Sequence, residues 1–352
     1  MTNHEKYMRR CLQLAKLGEG HVAPNPMVGA VLVYKDRIIG EGYHQQFGKA
    51  HAEVNCIQSV HDESLLPAST LYVSLEPCSH FAKTPPCSDL IIKNKIGHVV
   101  VGITDNSDKV NGKGIAQLRN AGVHVTKSVL ERECYEINRF FFTANKLKRP
   151  YVILKWAQSA DGFIAPDVRQ KGKIEWISNQ ISQMLVHKWR ASIQAIMAGT
   201  QTIIDDNPQL TTRNWHGHNP VKVIIDKNLR IPSQANVFQE SGNTIVYTSM
   251  ASINQPNAEM VIWERDRISI KNILDDLYNR HIHSLMVEGG AALLQSFMED
   301  GLWDEAQVFI SNKKLEQGVK APVFEGVLQC SEMLGNDQLN CYHPTYRPIV
   351  DR

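Results

Sequence analysis

Short apolar runs alternate with amphipathic segments along the first half of the chain. MVGAVLVYKDRIIGEGYH predicts two strands joined by a tight turn at Lys35-Asp36. Downstream, HAEVNCIQSV predicts a helix, TLYVSLE a strand, CSDLIIKNK a helix and HVVVGI a strand. GKGIAQLRNAGVHV adds a helix and a strand, and LERECYEINRFFFTANK predicts one last helix. This order after the hairpin predicts a mostly parallel sheet covered by helices on both faces.

The pattern restarts after Arg149-Pro150. YVILKWAQSADGFIA opens with a strand of the buried type, and ISQMLVHKWRAS predicts a helix. AIMAG, VKVIID, NTIVYTS and SLMVEGG predict strands, KNILDDLYNR and AALLQSFMEDG predict helices, and EAQVFIS predicts the final strand. A second sheet with its own helices predicts two domains, 1–146 and 147–352, as expected for a chain longer than one core usually serves.

Composition and charge narrow the class of protein. The chain of 352 residues is 43% hydrophobic and carries a formal net charge of +2, which is typical of a soluble globular protein. This balance gives no electrostatic reason to expect nucleic acid or an anionic membrane as a partner. The sequence contains no apolar run long enough for a membrane span, and its first residues predict an amphipathic helix and not a signal peptide.

The seven cysteines give a second indication of location. An odd number, scattered through a large chain without a secretory signal, predicts a reducing, cytoplasmic environment. Cys11, Cys56 and Cys134 fall in helical patterns and are expected to be core residues. Cys330 and Cys341 lie in a polar tail without a partner motif and receive no role.

Four residues of the first half form a pattern typical of a hydrolytic zinc site. A catalytic zinc ion needs three protein ligands and one open position for water, and His51, Cys78 and Cys87 supply one imidazole and two thiolates. Glu53 lies close enough to move a proton without binding the metal. The pattern is similar to the His-x-Glu and Pro-Cys-x-x-Cys signature of zinc deaminases, with a longer segment between the cysteines.

The second half contains a strand, two glycines and a helix in MVEGGAALLQSF. Gly289-Gly290 would let backbone amides approach an anion at the helix N-terminus, although a glycine pair after a strand is more often only a tight turn. Arg190 and Arg213 offer guanidinium groups suited to a phosphate, and surface ion pairing is the alternative for each one alone. No Gly-x-Gly-x-x-Gly is present, so a Rossmann fold is not predicted.

The stretches in both halves, taken together, resemble one family, the bifunctional riboflavin-biosynthesis deaminase/reductase. In the first half they are Asn25-Pro26-Met27-Val28-Gly29, Gly42-Tyr43-His44, His51-Ala52-Glu53, Glu76-Pro77-Cys78-Ser79-His80 and Thr84-Pro85-Pro86-Cys87. In the second half they are Arg149-Pro150-Tyr151-Val152, Lys155, Ser159-Ala160-Asp161-Gly162, Trp176-Ile177-Ser178, His187, Arg190-Ala191, Gly199-Thr200, Asp206-Asn207-Pro208, Leu210, Arg213 and Glu288-Gly289-Gly290. The resemblance covers residues from about 5 to 310.

The resemblance implies a cytidine-deaminase-like three-layer α/β/α domain followed by a dihydrofolate-reductase-like α/β domain. It implies one zinc ion per chain, held by His51, Cys78 and Cys87, with Glu53 as the catalytic proton shuttle. It implies substrate contacts from Asn25, His44, His80, Arg190, Leu210, Arg213 and Glu288. It implies an NADPH site lined by Ala157, Trp176, Thr202, Asp206, Gly290, Ala291, Ala292 and Leu293.

The implied function is a two-step conversion of phosphorylated pyrimidines by a cytoplasmic homo-oligomer without nucleic-acid or membrane partners. A diaminopyrimidinone would be deaminated, and NADPH would then reduce the ribosyl group of the aminouracil to ribityl. The chain departs from the family where it reads Phe81-Ala82-Lys83 and Asn106-Ser107-Asp108, and Ala160 replaces the commoner leucine.

Two other functions fit parts of the sequence. A deaminase acting on nucleic acid, with a fused auxiliary domain, would need a basic groove lined by aromatic residues. A non-catalytic scaffold would close the zinc site with a fourth protein ligand, for which His80 is the candidate.

Overall fold

The computed structural model describes residues 2–79, 85–107, 110–168, 172, 175–239, 243–251, 255 and 257–345. Two compact units meet in the sequence between Lys148 and Arg149. Within the described residues no helix combines the length and the apolar character that crossing a bilayer requires.

The first unit is built around a five-stranded sheet in the order β2-β1-β3-β4-β5. Its elements are α1 (Asn3–Lys16), β1 (Gly29–Tyr34), β2 (Arg37–Tyr43), α2 (Ala52–Gln58), a 3-10 helix (Glu63–Ala68), β3 (Thr70–Leu75), α3 (Cys87–Lys93), β4 (His98–Ile103), α4 (Lys113–Asn120), β5 (His124–Thr126), α5 (Glu131–Ile137) and α6 (Arg139–Leu147).

Helices cover both faces of this sheet, as predicted. On β1, Val31 and Val33 pack in the cluster that contains Cys11 of α1, whereas Ala30 and Leu32 pack in the cluster that contains residues of α2, α3 and α4. This division follows from the strand period, because successive side chains point to opposite faces. Cys11, Cys56 and Cys134 are fully buried, so their predicted place in the core is confirmed.

The prediction of a mostly parallel first sheet is correct only for β3, β4 and β5. Strand β1 is antiparallel to both of its neighbours, β2 and β3. The two-residue turn at Lys35-Asp36, where φ is 46° and 59°, reverses the chain between β1 and β2. The crossover through α2 then makes β3 parallel to β2, and β1 lies between them, so the sheet is mixed.

The prediction of one last helix in this unit is wrong, because the chain forms α5 and α6 with a break at Asn138. The Asn138 amide explains the break. Its Oδ1 accepts from the Met27 backbone N–H at 2.8 Å, and its Nδ2 donates to the Met27 carbonyl at 2.9 Å. A side chain that pairs with distant backbone competes with regular helix geometry at its own position.

The second unit is built around a nine-stranded sheet in the order β11-β10-β9-β8-β12-β6-β13-β16-β15, with β7 and β14 forming a separate pair. Its elements are β6 (Tyr151–Gln158), β7 (Phe163–Pro166), α7 (Gln180–Ser192), β8 (Ala195–Gly199), α8 (Thr200–Asp206), β9 (Val221–Ile225), α9 (Asn236–Gln239), β10 (Thr244–Thr248), β11 (Ala258–Ile262), a 3-10 helix (Arg265–Arg267), α10 (Ile270–Asn279), β12 (Ser284–Glu288), α11 (Ala291–Glu299), β13 (Glu305–Ser311), β14 (Gly318–Lys320), β15 (Val327–Leu334) and β16 (Asp337–His343).

The prediction that EAQVFIS is the final strand is wrong. The segment expected to be a polar tail forms the β15–β16 hairpin, and β16 adds to β13 in antiparallel register. Seven of the eight residues of β15 are exposed, since this strand lies at the edge of the sheet. An edge strand without a buried face lacks the apolar alternation by which strands are recognised in a sequence.

Candidate active sites

Three predicted metal ligands come together in the first unit. His51 precedes α2, Cys78 follows β3, and Cys87 is the first residue of α3. The Nδ1 atom of His51 lies 3.6 Å from Sγ of Cys78 and 3.4 Å from Sγ of Cys87. Ligand atoms around a tetrahedral zinc ion are separated by about 3.5 Å, so this donor set fits zinc.

Electrostatics within this group favours a thiolate. Hydrogen bonding from the Cys87 thiol, followed by that from His51, lowers the pKa of Cys78 to about 4 even though burial opposes the shift. The same thiol contact raises the pKa of Cys87. The thiolate is the form in which cysteine binds a metal.

Glu53 lies in the first turn of α2 and is 3% exposed. Burial, and then the charge of the nearby Cys78, raises the pKa of Glu53 to about 7. A carboxyl group with this pKa can both accept and release a proton near neutral pH, which is what a general acid–base group requires.

Two predicted substrate residues lie beside the metal group. Asn25 Nδ2 is 3.1 Å from His44 Nε2, and the His44 ring is 5.6 Å from the His51 ring. His44 Nδ1 is 3.0 Å from the Ala50 carbonyl, which can only accept, so Nδ1 carries the proton and Nε2 accepts from Asn25. Burial lowers the pKa of His44 and so favours its neutral form. His80 and Phe81-Ala82-Lys83 lie outside the described residues.

A buried carboxylate that the sequence reasoning left without a role organises this site. Glu76 is 4% exposed and accepts backbone N–H groups from Asp105 at 3.2 Å, Gly112 at 3.0 Å and Ile115 at 3.1 Å. It thereby fastens Asp105, Gly112 and Ile115 to the strand that leads into Cys78. In the sequence, the position of Glu76 two residues before the predicted ligand Cys78 is the feature that could have indicated this role.

In the second unit, three charged side chains form a buried cluster. Arg190 donates from Nε and Nη2 to the two carboxylate oxygens of Glu288 at 2.8 and 2.7 Å. Lys155 Nζ lies 3.7 Å from the same carboxylate. Burial acts to raise the pKa of Glu288, but the charges of Arg190 and Lys155 outweigh it and lower the pKa to about 2. The Arg190 guanidinium, which the sequence analysis expected to face a phosphate, therefore pairs with the Glu288 carboxylate.

Two buried polar atoms next to this cluster are unpaired. No hydrogen bond within the described part of the chain reaches Nδ1 of His187 or Oγ1 of Thr211. Buried polar groups are normally paired, so such a concentration of unpaired groups is typical of a ligand site. Leu210 is buried and Arg213 is exposed, on either side of Thr211. Burial, and then the charges of Arg190 and Arg213, lowers the pKa of His187 to about 4.

The glycine turn after β12 lies against α8. Gly289 and Gly290 have φ values of 104° and 55°, which favour glycine. A Cβ on Gly289 would lie 2.6 Å from Thr202 Cγ2, and Leu293 reaches to within 3.8 Å of the position that a Cβ on Gly199 would occupy. The turn follows β12, which lies between β8 and β6 in the sheet. On one side of β12 the strands β8, β9, β10 and β11 follow in sequence order, and the next strand in sequence after β12, β13, lies on its other side beyond β6. Ligands of open parallel sheets bind at such a point of reversal.

The remaining residues predicted to bind NADPH are spread over three elements and one loop. Ala157 lies near the end of β6, Asp206 ends α8, and Ala291 and Ala292 open α11. Trp176 is 46% exposed, and its carbonyl accepts from Lys313 Nζ at 2.8 Å. This exposure shows that Trp176 does not serve simply as a core residue.

Models of two protein families match the chain. Residues 1–103 match the cytidine and deoxycytidylate deaminase zinc-binding region, and residues 150–330 match the RibD C-terminal domain. The zinc-binding region and the His51–Cys78–Cys87 group indicate zinc as the metal. The fold and the sites therefore define a bifunctional enzyme with a deaminase domain followed by a reductase domain.

The relatives identify the family. The riboflavin biosynthesis protein RibD of Aquifex aeolicus is 39% identical over 90% of this chain and 88% of its own, and that of Escherichia coli is 31% identical over 88% of each chain. A diaminohydroxyphosphoribosylaminopyrimidine deaminase/5-amino-6-(5-phosphoribosylamino)uracil reductase from Thermotoga maritima has a TM-score of 0.89 at 37% identity, covering 97% of this chain and 99% of its own. The chain belongs to the RibD family of riboflavin biosynthesis.

The resemblance, the two fold classes and the bifunctional activity predicted from the sequence are thus confirmed. A deaminase acting on nucleic acid is not favoured, since the second half matches the reductase domain and not an auxiliary module.

Proposed function

We propose that residues 1–146 deaminate 2,5-diamino-6-(5-phosphoribosylamino)pyrimidin-4-one by hydrolysis. Residues 147–352 would then use NADPH to reduce the ribosyl group of 5-amino-6-(5-phosphoribosylamino)uracil to ribityl. The convergence of His51, Cys78 and Cys87 beside the buried Glu53 carries this proposal. The name of the Thermotoga maritima structure, which gives both activities for that protein, supports it.

In the deamination, His51, Cys78 and Cys87 would hold one zinc ion. When bound, zinc supplies the Lewis acidity that makes a nucleophile available from water near neutral pH. Glu53 takes a proton from the attacking water and returns it to the departing amine, so that ammonia leaves and a carbonyl remains. Burial, which raises the pKa of Glu53, favours its return of the proton to the amine.

Substrate binding in this domain is assigned to Asn25, His44 and His80. Asn25 and the neutral His44 form one hydrogen-bonded pair next to His51, and the Ala50 carbonyl fixes the orientation of the imidazole. A substrate ring bound next to His51 would therefore meet an amide and a neutral imidazole whose orientations are already set. His80 is included on the family resemblance.

In the reduction, NADPH supplies the hydride when bound. Its binding is assigned to the glycine turn and the elements around it, namely Ala157, Trp176, Thr202, Asp206, Gly290, Ala291, Ala292 and Leu293. Gly289 and Gly290 bring backbone N–H groups to the start of a nine-residue helix, an arrangement suited to an anionic group such as a cofactor phosphate.

Substrate binding in the reductase domain is assigned to Arg190, Leu210, Arg213 and Glu288. The cluster around Glu288 contains more cationic than anionic groups, which suits a phosphorylated substrate. Glu288 has both oxygens fixed by Arg190, so it would orient a hydroxyl group of the ribose chain instead of moving protons. A cytoplasmic location and a homo-oligomeric state, implied by the family, complete the proposal.

A coupled assay tests this function. The diaminopyrimidinone substrate is supplied to zinc-loaded protein with NADPH, and ammonia release and NADPH oxidation are followed separately. We expect ammonia first and NADPH oxidation only after deamination. Ammonia without NADPH oxidation would refute the second step, and the absence of both signals would refute the whole assignment.

A further inference from the structure

Two cysteines that the sequence pattern left without a role are neighbours in the structure. Cys330 lies on β15 and Cys341 on β16, and the two are directly paired in the antiparallel register. Such pairs have Cα atoms about 4.5–5.5 Å apart, a separation that a disulfide can span. Cys330 is exposed, Cys341 is partly buried, and both are free thiols.

This pair begins a row of residues that crosses the sheet. Cys341 is paired with Gln307 on β13, Gln307 with Lys155 on β6, and Lys155 with Glu288 on β12. Cys341 Sγ donates to Gln307 Oε1 at 3.0 Å, and Lys155 Nζ lies 3.7 Å from Glu288. Residues paired in register lie on the same face of a sheet. The exposed edge strand and the charged cluster are therefore joined along one face.

We propose that Cys330 and Cys341 are a redox modification site, which closes to a disulfide on reaction with a small-molecule disulfide such as glutathione disulfide. We further infer that closure alters the reductase domain through Gln307 and Lys155. The disulfide itself does not depend on the proposed function, and only the activity measurement rests on it.

The chemistry proceeds by two exchanges. The exposed Cys330 attacks glutathione disulfide as a thiolate, forms a mixed disulfide and releases one glutathione thiolate. Cys341 then loses its proton and attacks the Cys330 sulfur, releasing the second glutathione. Two protein thiols are oxidised and one glutathione disulfide is reduced. Burial, and then contact with Cys330, raises the pKa of Cys341 to about 12, so Cys330 is the thiol that reacts first.

Closure removes the hydrogen that Cys341 donates to Gln307. Gln307 also donates from Nε2 to Glu305, whose other oxygen accepts from the Tyr151 hydroxyl at 3.0 Å. Glu305 and Gln307 are at least nine-tenths buried, so the lost bond cannot be replaced freely by water. Losing one hydrogen bond at such a site changes an equilibrium by about 2- to 10-fold, and we expect a KM change of this size for the reduction.

The test treats the zinc-loaded full chain with glutathione disulfide and maps the thiols by alkylation and peptide mass spectrometry. We expect a peptide that joins Cys330 to Cys341 and weighs two hydrogen atoms less than the two thiol peptides. The buried Cys11, Cys56 and Cys134 should remain thiols. The KM for NADPH-dependent reduction of the aminouracil should change after this treatment, whereas the KM for ammonia release from the same chain should not. Dithiothreitol, which reduces the disulfide, should reverse the change.

The variant Cys330→Ser provides the control, since it keeps Cys341 and its bond to Gln307 but cannot close. The KM for aminouracil reduction by this variant should not change on treatment with glutathione disulfide. A stable mixed disulfide on Cys330 in the wild-type chain, or free thiols at both positions, would overturn the modification site. A complete disulfide that leaves KM unchanged would overturn the coupling through Gln307.

Discussion

The two candidate sites hold their functional groups in different ways. In the first unit, His51, Cys78 and Cys87 direct donor atoms toward one another from three separate elements, which is the arrangement that a metal ion with three protein ligands requires. In the second unit, Glu288 and Arg190 already satisfy each other, with Lys155 close by.

This difference predicts that substitutions at the first site affect mainly activity, whereas substitutions at the second site also affect stability. A change in the metal group should remove an activity that depends on zinc, whereas a change in the buried ion cluster should also destabilise the unit that contains it. All six tryptophans lie in the second unit, between Trp156 and Trp303, so tryptophan fluorescence reports the unfolding of that unit alone.

The largest effect is expected for Cys78→Ala. Two protein ligands cannot replace the three that a catalytic zinc site needs, so zinc content and ammonia release should both fall to background. Reduction of the aminouracil, assayed on its own, should stay within about twofold of the wild type, because Cys78 belongs to the other compact unit and shares no partner with the reductase residues. Cys330→Ala, kept reduced, is the matched control, and normal ammonia release from zinc-free Cys78→Ala protein would contradict the assignment.

A smaller but still large effect is expected for Glu53→Gln. The amide keeps the size of the side chain but cannot transfer a proton, so kcat for ammonia release should fall by about 10²- to 10⁴-fold. Zinc content should not change, since Glu53 is not a ligand. A native rate at full zinc content would exclude the proton-transfer role, and Glu63→Gln, an exposed position in the same unit, serves as the control.

The buried ion cluster is tested by Arg190→Met. The substitution leaves Glu288 charged beside only Lys155, and breaking a buried pair in this way costs about 3–5 kcal/mol of the free energy of unfolding. Urea unfolding followed by tryptophan fluorescence measures the loss. Arg280→Met is the control, because Arg280 pairs with Glu259 and Asp276 but is 28% exposed, and should cost at most about 1 kcal/mol. Equal losses of unfolding free energy in the two variants would show that the buried cluster contributes no more to stability than a partly exposed ion pair does.

The smallest effect is a pH dependence from His187, whose pKa is lowered to about 4 by burial and then by Arg190 and Arg213. The unfolded chain binds a proton near pH 6.5 and the folded unit resists it, so stability falls as the pH drops from 6.5 toward 4. After allowance for solvent screening, the contribution should be about 1 kcal/mol.

His187→Gln should remove this contribution. Fluorescence-detected unfolding at about pH 7.5 and about pH 5 measures it as the difference between wild type and variant. An identical pH dependence in the two proteins would show that His187 is not the titrating group.

The metal site could be predicted because its chemistry restricts residue types at short spacing. A histidine and a glutamate two residues apart, followed later by a cysteine after Pro77, match the signature of zinc deaminases. The hairpin at Lys35-Asp36 was predictable for a similar reason, since two strands separated by two residues can only reverse. Each of these motifs spans only a few residues.

The sequence by itself thus determined the two fold classes, the His51–Cys78–Cys87 group and the place of Glu53. The tertiary structure alone decided that Asn138 divides a helix to hold Met27, that the tail adds two strands to the second sheet, and that Glu288 and Cys330 lie at either end of one row. The physical reason is the separation along the chain of the residues that interact. Local patterns record how a segment folds, whereas strand order and register decide which distant side chains become neighbours.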